Sequence, residues 1–403
     1  MSFRKLKISD FCLVTDYVAN GSFESLKNNV EYLYGDGYAI LVRLTDFTKN
    51  WNNNYRYVSK KSYDFLKHSK LHPGDLIMSN VGEPGRVFLL PDLGKPMTLG
   101  PNSILIRPDN TKASSFYMRY YFQSQFGQNQ ILQITSGAAQ KKFNKTSFRS
   151  LLIDLPSLPI QKKIIAKLDA IFAEIDKATA VLEVNIKNAE ALFQSYLRQV
   201  FEQDSEGWKK IYLKDIAEYF NGLTYSPKNV CENGTIVLRS SNIQKDKIDL
   251  DDIVRVDSAI KDKLYVKSGD ILMCSRNGSQ RLVGKTATID DLNESMTFGT
   301  FMMIIRSDNN FFLKWFFKSD LFKRQITSGE NTMINQITRY MLDEIVLSLP
   351  DVLTQKLISN KISNLFVNTQ KLKLNYLSKI NELSLEKQSI LKQAFNSELV
   401  KAA

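Results

Sequence analysis

Apolar residues recur at alternating steps of four and three along two stretches of the chain, residues 159–203 and 351–400. This spacing is typical of the seam of a coiled coil and predicts one long helix in each stretch. The two seams superpose at a constant offset of 194 residues, so that Ile164 corresponds to Ile358. Amphipathic helices do not require matching residues at a fixed offset, so the pattern indicates an internal duplication.

The first seam is interrupted by one polar residue, Asn185, which corresponds at the same offset to the polar Lys379 of the second seam. A polar residue in a coiled-coil seam fixes the register of the helices at some cost in stability. We therefore predict that Asn185 and Lys379 set the alignment of the two helices.

Short apolar runs separated by Gly, Asn and Asp precede each predicted helix and predict strands. Runs of the first region reappear in the second: residues 73–78 match 268–273, and residues 100–109 match 299–308. The offset drifts only in these parts, which confines insertions to them. We predict an α+β fold with a duplicated globular mixed α/β domain. The predicted segments are 1–156 (first domain), 157–206 (central long helix), 207–350 (second domain) and 351–403 (C-terminal long helix).

The chain of 403 residues carries a formal net charge of +12. A balance this basic favours a polyanionic partner, most often nucleic acid. Apolar runs long enough to cross a bilayer are absent from the sequence, and the first residues lack the apolar core of a signal peptide. We therefore expect no membrane association and a cytoplasmic location.

Catalytic and metal-binding signatures are absent from the sequence. It contains two histidines and three widely spaced cysteines, which argues against a histidine-based metal site, a Ser-His-Asp triad or a disulfide framework. It also lacks a Walker-type phosphate loop. We expect a chain that is not an enzyme and that holds no metal or cofactor of its own.

Several loops combine the residue types that contact nucleic acid. Asn and Gln pair with adenine, Arg pairs with guanine, and Lys binds phosphate. The alternative is that Asn-rich loops are ordinary turns. The candidates in the first region are Asn50, Trp51, Asn52, Asn53, Asn54, Tyr55, Arg56, Arg86, Lys141, Lys142 and Lys145. Those in the second region are Ser241, Asn242, Arg276, Asn277, Gln280, Arg281, Asn331, Thr332, Asn335, Gln336 and Arg339.

Two aromatic stripes, Phe116–Phe122 and Phe311–Phe317, lie next to basic residues. Stacked aromatic side chains can bind single-stranded nucleic acid. Both stripes fall in predicted helices, where such residues more often fill a core. We therefore predict core packing for them.

Both globular regions end in the same order of features. Each has Thr-Ser-Gly, then a polar stretch, then a strand ending in Leu-Pro that runs into the long helix with Gln161 or Gln355 in its first turn. With this duplicated order the chain resembles, over its full length, the specificity subunits of type I restriction–modification enzymes. The glutamate that the family usually places before the glutamine is missing both times.

The resemblance implies that each globular domain is a target recognition domain that binds one half of a bipartite site on double-stranded DNA. The long helices would pack antiparallel as a spacer, and the duplication would give a pseudo-twofold axis. Two methyltransferase (modification) subunits would bind this frame, and restriction/translocase subunits could join them. S-adenosylmethionine, ATP and Mg²⁺ would belong to those partners.

Two alternatives stay open from the sequence. One is a stand-alone architectural or regulatory DNA-binding protein, and the other is a coiled-coil assembly protein whose charge is incidental.

Overall fold

The computed structural model describes residues 4–51, 54–202, 207–290, 293–327 and 336–395. The chain divides into two compact units: unit 1 is Met1–Val181 with Ser378–Ala403, and unit 2 is Leu182–Leu377. Each unit therefore contains one globular region and a part of both long helices. Residues 203–206, the end of the predicted central segment 157–206, lie outside the described residues.

In unit 1, three groups of strands form the globular region. An antiparallel four-stranded sheet has the order β2-β10-β7-β8, and a five-stranded sheet has the order β3-β5-β4-β9-β6, while β1 pairs with β11. The strands are β1 (Arg4–Lys7), β2 (Cys12–Asp16), β3 (Tyr32–Tyr34), β4 (Ala39–Val42), β5 (Arg56–Val58), β6 (Lys70–Leu71), β7 (Leu76–Ser79), β8 (Val87–Leu89), β9 (Met97–Leu99), β10 (Ser103–Pro108) and β11 (Leu152–Leu155). The helices are α1 (Phe23–Asn29), α2 (Leu44–Thr48), α3 (Lys60–Phe65), α4 (Ser115–Gln123), α5 (Gln125–Ile134), α6 (Lys145–Arg149) and the long α7 (Leu158–Glu202).

Unit 2 repeats this plan. Its sheets have the orders β13-β22-β19-β20 and β14-β18-β15-β21, and β12 pairs with β23 and β16 with β17. The strands are β12 (Lys209–Tyr212), β13 (Glu218–Asn221), β14 (Val230–Cys231), β15 (Thr235–Leu238), β16 (Ile243–Gln244), β17 (Lys247–Ile248), β18 (Arg255–Val256), β19 (Ile271–Cys274), β20 (Thr286–Thr288), β21 (Met296–Phe298), β22 (Met302–Arg306) and β23 (Val346–Leu349). The helices are α8 (Asn310–Phe316), α9 (Asp320–Thr327), α10 (Arg339–Asp343) and the long α11 (Val352–Phe395).

The sheets β2-β10-β7-β8 and β13-β22-β19-β20 share a register and an internal ion pair. In unit 1, Arg107 donates to Asp75 through Nε (2.7 Å) and Nη2 (2.6 Å). In unit 2, Arg306 makes the same bidentate contact with Asp270 at 2.8 and 2.6 Å. The aspartate of the matching ranges 73–78 and 268–273 and the arginine of the ranges 100–109 and 299–308 are therefore structural. Each buried carboxylate receives both donors of a guanidinium fork, the geometry in which such a pair is strong.

Aromatic residues attach each globular region to the long helices. In unit 1, Tyr117 and Tyr121 of α4 pack on Phe395 of α11, with ring centroids 5.4 and 5.5 Å apart. Tyr120 packs on Phe172 of α7 at 5.6 Å. The predicted core role of this stripe is confirmed for these three tyrosines, which are nearly inaccessible to solvent.

Unit 2 repeats these contacts with the helices exchanged. Phe312 and Phe316 of α8 pack on Phe201 of α7, at 5.1 and 5.5 Å between ring centroids. Trp315 packs on Phe366 of α11 at 5.5 Å. The duplication predicted from the sequence is therefore present as equivalent contacts, and the second stripe also fills a core.

The long helices run antiparallel within each unit. In unit 1, Asp176 of α7 accepts from Lys387 of α11, and Leu168, nearer the start of α7, shares a core with Leu391. In unit 2, Glu190 accepts from Lys373, and Phe193 packs on Phe366 at 5.4 Å. In both units the contacts ascend along α7 while they descend along α11.

The buried face of the helices departs from the predicted seam. Ile164 and Leu168 are buried as expected, but Ile171 and Leu372 are 42% and 41% exposed. A straight α-helix drifts by about 20° per heptad from a 3.5-residue repeat, so a strict seam leaves the buried face. Asn185 is half-buried in unit 2 and Lys379 is exposed in unit 1, and their role in alignment stays a prediction.

The motif glutamine at the start of each long helix joins the helix to the globular region. Gln161 is fully buried and donates through Nε2 to the carbonyls of Lys112 (2.9 Å) and Pro156 (2.8 Å). Its Oε1 accepts from the Ser114 amide at 2.9 Å. Gln355 repeats the contact to the preceding proline, donating to the Pro350 carbonyl at 2.9 Å. This side chain therefore fixes the angle at which the helix leaves its domain.

Candidate nucleic-acid interface

Four residues of unit 2 come together where β19 ends, and we call them the second edge: Ser275, Arg276, Phe301 and Gln336. The Phe301 carbonyl accepts from the amides of Ser275 (2.9 Å) and Arg276 (3.1 Å), and the Ile337 amide donates to the Ser275 carbonyl (2.7 Å). Arg276 and Gln336 form an isolated antiparallel bridge. Two candidates that are 60 positions apart in the sequence therefore lie side by side.

Unit 1 builds the same backbone arrangement from different residues, which we call the first edge: Asn80, Val81, Asn102 and Lys142. The Asn80 amide donates to the Asn102 carbonyl (3.1 Å), and the Phe143 amide donates to the Asn80 carbonyl (3.1 Å). Val81 and Lys142 form the matching antiparallel bridge. The two regions thus share one backbone frame and differ in the side chains that it presents.

Exposed cations surround the first edge. Lys141 and Lys142 are exposed, and the Lys141 carbonyl accepts from the Gly82 amide at 2.9 Å. Arg86 is 48% exposed and pairs with Glu83, itself 73% exposed, at 3.1 Å. Surface ion pairs of this kind contribute about 0–1 kcal/mol, so a phosphate can replace the carboxylate at little cost.

The second edge carries a guanidinium stacked on an aromatic ring. The Cζ atom of Arg276 lies 5.6 Å from the ring centroid of Phe301, and the Phe301 side chain is 56% exposed. Neighbouring Asn277 donates through Nδ2 to Ser240 Oγ at 3.2 Å. Exposed Ser241 lines a cavity of 710 Å³ of which Phe301 forms another wall.

Two further candidates lie on the same loop. Gln280 and Arg281 are exposed and belong to a short 3-10 helix, residues 280–282, that follows the second edge. Their side chains are open to solvent and available to a polyanion.

Asn242 is corrected from candidate to structural residue. It is 1% exposed, and its amide group makes three hydrogen bonds within the fold. Oδ1 accepts from the Arg239 amide (2.9 Å), and Nδ2 donates to the carbonyls of Asp249 (2.9 Å) and Asp252 (2.8 Å). Asn242 therefore holds a turn and has no free edge for a base.

An ion pair within unit 1 holds the charge of Lys145, and its phosphate contact stays a prediction. Its Nζ lies 2.7 Å from Asp16 Oδ1, and the two side chains are 27% and 14% exposed. The repeat places Arg339 at the equivalent position, with Asn221 in place of the aspartate. Arg339 is exposed, and among the described residues no carboxylate pairs with it. The Arg339 candidate therefore remains open.

The two aromatic residues of the loop 50–56 are partly buried and pack against the core of unit 1. Trp51 packs edge-on against Phe88, with centroids 5.4 Å apart, and both Asn50 and Trp51 have positive φ angles, 57° and 58°. Tyr55 donates its hydroxyl to the Trp51 carbonyl. Burial, followed by the charge of Asp46, raises the pKa of Tyr55. Trp51 and Tyr55 are therefore corrected to packing residues.

Arg56 and Asn54 remain at the surface of this loop. The Arg56 guanidinium lies 4.9 Å from the Tyr34 ring and donates to the Tyr34 hydroxyl at 2.9 Å. Tyr34 is 77% exposed. An arginine held on an exposed ring is preorganised for a planar partner.

Five candidates lie outside the described residues: Asn52, Asn53, Asn331, Thr332 and Asn335. Among the described residues, no group of three or more His, Cys, Asp or Glu side chains could hold a metal ion. In the described parts of the chain, the helices are too short or too polar to span a membrane.

The sequence did not single out Phe301, Asn102 or Tyr34. An exposed aromatic next to a strand looks like a core residue in a one-dimensional pattern. The signal that would have found Phe301 is the repeat itself, because Phe301 and Asn102 occupy the same place before β22 and β10.

Comparisons with known proteins agree with this architecture. The family described as "Type I restriction modification DNA specificity domain" matches residues 19–185 and again residues 205–384. The EcoKI specificity subunit of Escherichia coli (strain K12) is 27% identical over 203 residues, 48% of this chain and 44% of that protein. The StySPI specificity subunit of Salmonella potsdam is 26% identical over 320 residues, 73% of this chain and 67% of that protein. The chain thus spans less than half of the first relative.

Two solved structures share the fold. A chain from a structure of the type I R-M system superposes with a TM-score of 0.73 at 18% identity, covering 98% of this chain and 97% of that one. The HsdS subunit from Thermoanaerobacter tengcongensis superposes with a TM-score of 0.52 at 18% identity, covering 98% and 96%. The predicted fold class, two mixed α/β regions with two long helices, is confirmed.

Proposed function

Because the chain belongs to the family of type I restriction modification DNA specificity domains and contains two copies of that domain, we propose that it binds a bipartite site on double-stranded DNA, with one half-site for each globular region. One observation carries this proposal. The first and second edges share their backbone hydrogen bonds but present different side chains, as expected for two regions that read different sequences on a common frame.

The charge distribution supports contact with the DNA backbone. Exposed Lys141, Arg281 and Arg339 lie near the two edges, and the chain carries a net charge of +12. Phosphate contacts position a protein on the duplex, while base contacts give it specificity. Binding should therefore weaken steeply with salt, at a slope set by the number of phosphates contacted.

We assign the spacing of the half-sites to the long helices. α7 has 45 residues and α11 has 44, which gives each a length of about 66 Å. Each globular region is attached to both helices by the same set of aromatic contacts. Support of this kind suits a rigid spacer that determines the unread gap between half-sites.

The proposal assigns no catalytic step to this chain. Two methyltransferase subunits would bind the exposed faces of the helical frame, and restriction/translocase subunits would join them. S-adenosylmethionine, ATP and Mg²⁺ would be bound by those subunits, and the complex would work in the cytoplasm. The duplicated frame supports two equivalent partners, since a repeated surface offers the same contacts twice.

The test is selection of duplexes by the full-length chain from a pool with randomised sequence, followed by sequencing. Two short conserved half-sites at a fixed separation are the expected result. Uniform recovery of all sequences would favour an architectural DNA-binding protein. Binding that does not change between 50 and 200 mM salt would favour a coiled-coil assembly protein whose charge is incidental.

A further inference from the structure

We propose that the second edge reads two neighbouring purines: Arg276, positioned by the ring of Phe301, reads a guanine, and Gln336 reads an adenine beside it. This inference rests on the proposed function and adds the base class that one half-site contains. It also gives Phe301 a role as a positioning residue.

The bridge between Arg276 and Gln336 puts their side chains on one face. The Ile337 amide bonds to the Ser275 carbonyl, which makes Arg276 and Gln336 a pair that does not itself share hydrogen bonds. In such pairs the Cα atoms are about 4.5 Å apart and the side chains point the same way. That separation is close to the rise of about 3.4 Å between stacked bases. The two side chains can therefore reach adjacent base pairs.

The chemistry of each side chain selects a purine. An arginine forms two hydrogen bonds with the O6 and N7 atoms of guanine, and a glutamine forms two with the N6 and N7 atoms of adenine. Arg276 is exposed, and its guanidinium stacks on the Phe301 ring at 5.6 Å. Stacking leaves the planar edge of the guanidinium free, and it restricts a side chain that otherwise loses rotamer freedom on binding.

The backbone holds the ring in place. The Phe301 carbonyl accepts from the amides of both Ser275 and Arg276. The ring and the guanidinium therefore belong to two backbone segments that are hydrogen-bonded to each other. The ring cannot be explained as core, because it is 56% exposed. The equivalent residue in the first edge is Asn102, on the same backbone hydrogen bond. The frame therefore does not require an aromatic side chain at this place.

The first edge supplies the internal comparison. It presents Val81 and Lys142 at the bridge where the second presents Arg276 and Gln336. A valine can only make an apolar contact, for example with a thymine methyl group, and a lysine lacks the planar fork of arginine. The first edge should therefore select a different step.

The test measures how strongly full-length variants discriminate among all single-base changes in the selected site. Arg276→Ala should lower discrimination at one G·C pair of the second half-site by about 5- to 150-fold, and Gln336→Ala should do so at the neighbouring A·T pair. Phe301→Leu should lower discrimination at the G·C pair by about 2- to 5-fold, the range for an exposed cation–π contact. Phe301→Tyr should restore it.

Matched controls separate positioning from general stability. In an Arg276→Ala background, Phe301→Leu should cause no further loss, because the group that it positions is gone. Lys142→Ala, the counterpart in the first edge of Gln336→Ala, should leave the second half-site unaffected.

The proposal is overturned if Arg276→Ala weakens binding equally to every single-base version of the second half-site. It is also overturned if Phe301→Leu has the same effect with and without Arg276. Either result can occur while two half-sites are still selected, so the bipartite function would stand. Failure of the unmodified chain to select any site would instead refute the proposed function.

Discussion

Shortening both long helices by one heptad should shorten the gap between half-sites without changing the half-sites themselves. The change removes residues 177–183 and 380–386, which spares Asn185, Lys379 and the ion pairs Asp176–Lys387 and Glu190–Lys373. In each of these ion pairs the two residue numbers add up to 563. The first residue of one deleted segment and the last residue of the other add up to the same number. The deletions therefore preserve the pairing pattern of the helices.

The magnitude follows from helix and duplex geometry. Seven residues at 1.5 Å each shorten a helix by about 10.5 Å, which is about three base pairs at 3.4 Å. The seven residues turn by about 700°, about 20° short of two full turns, so the buried face is nearly kept. Three base pairs turn the duplex by about 100°. The rotation of the duplex by about 100° is much larger than the change of about 20° in the helix. The DNA must twist to make up most of this difference, so the best new site should bind more weakly than the original.

The assay is the same selection from randomised duplexes, with circular dichroism to show that helix content is retained. Deleting the heptad from α7 alone is the control. It leaves helices of unequal length and should disrupt the packing of at least one unit. If the folded double deletion selects the original gap, then something other than the helices sets the spacing and the spacer assignment is wrong.

Three further experiments test separate parts of the structure. If Arg281 reads a base, Arg281→Ala should reduce discrimination between bases in the second half-site by about 1–3 kcal/mol. Lys141→Ala should instead weaken binding to all sequences and lower the salt slope by about one. Selection from randomised duplexes and salt titration distinguish these outcomes. Asp270→Asn should destabilise the fold by about 3 kcal/mol in urea unfolding, because it leaves the guanidinium of Arg306 without its buried partner, and adding Arg306→Met should recover part of the loss. Cys231 should be the one thiol that reacts rapidly in the native protein, since burial raises the pKa of the other two, to about 12 for one of them.

The helices and the duplication could be predicted from the sequence because both depend on periodicity. A helix of 45 residues repeats its buried face many times, and a repeat at constant offset accumulates matches. The prediction that Ile171 is buried in the seam was wrong, because a heptad pattern does not show which face of the helix the globular region covers. Packing against Tyr120 favours the neighbouring Phe172.

The candidate site could be predicted only where contacts are local. Arg276 and its loop follow a strand end that the repeat marks, and Arg276, Gln280 and Arg281 are exposed there. The role of Lys145 depends on Asp16, 129 residues away, and no local pattern contains that ion pair. Asn242 resembles a base-reading residue in composition, yet its three partners come from a turn whose path the sequence does not specify.

The equivalences and differences between the two regions together indicate which positions are free to vary. Buried contacts within the fold are the same in both units: each has a fully buried glutamine and three aromatic contacts that attach the globular region to the helices, and a bidentate Arg-Asp pair inside its sheet. Each is a buried group whose loss leaves a cavity or an unpaired charge, so it tolerates little change. Asn102, Lys142, Arg276, Phe301 and Gln336 are exposed. The buried or half-buried side chains of Ser275 and Asn80 support the frame, donating to the carbonyls of Phe301 (3.0 Å) and Phe143 (3.3 Å). Exchanging the exposed bridge residues Lys142 and Gln336 therefore costs little stability, whereas the positive φ of Asn102, 68°, disfavours a phenylalanine there. Exposed positions on a shared frame are the physical condition for one fold to acquire a second sequence preference.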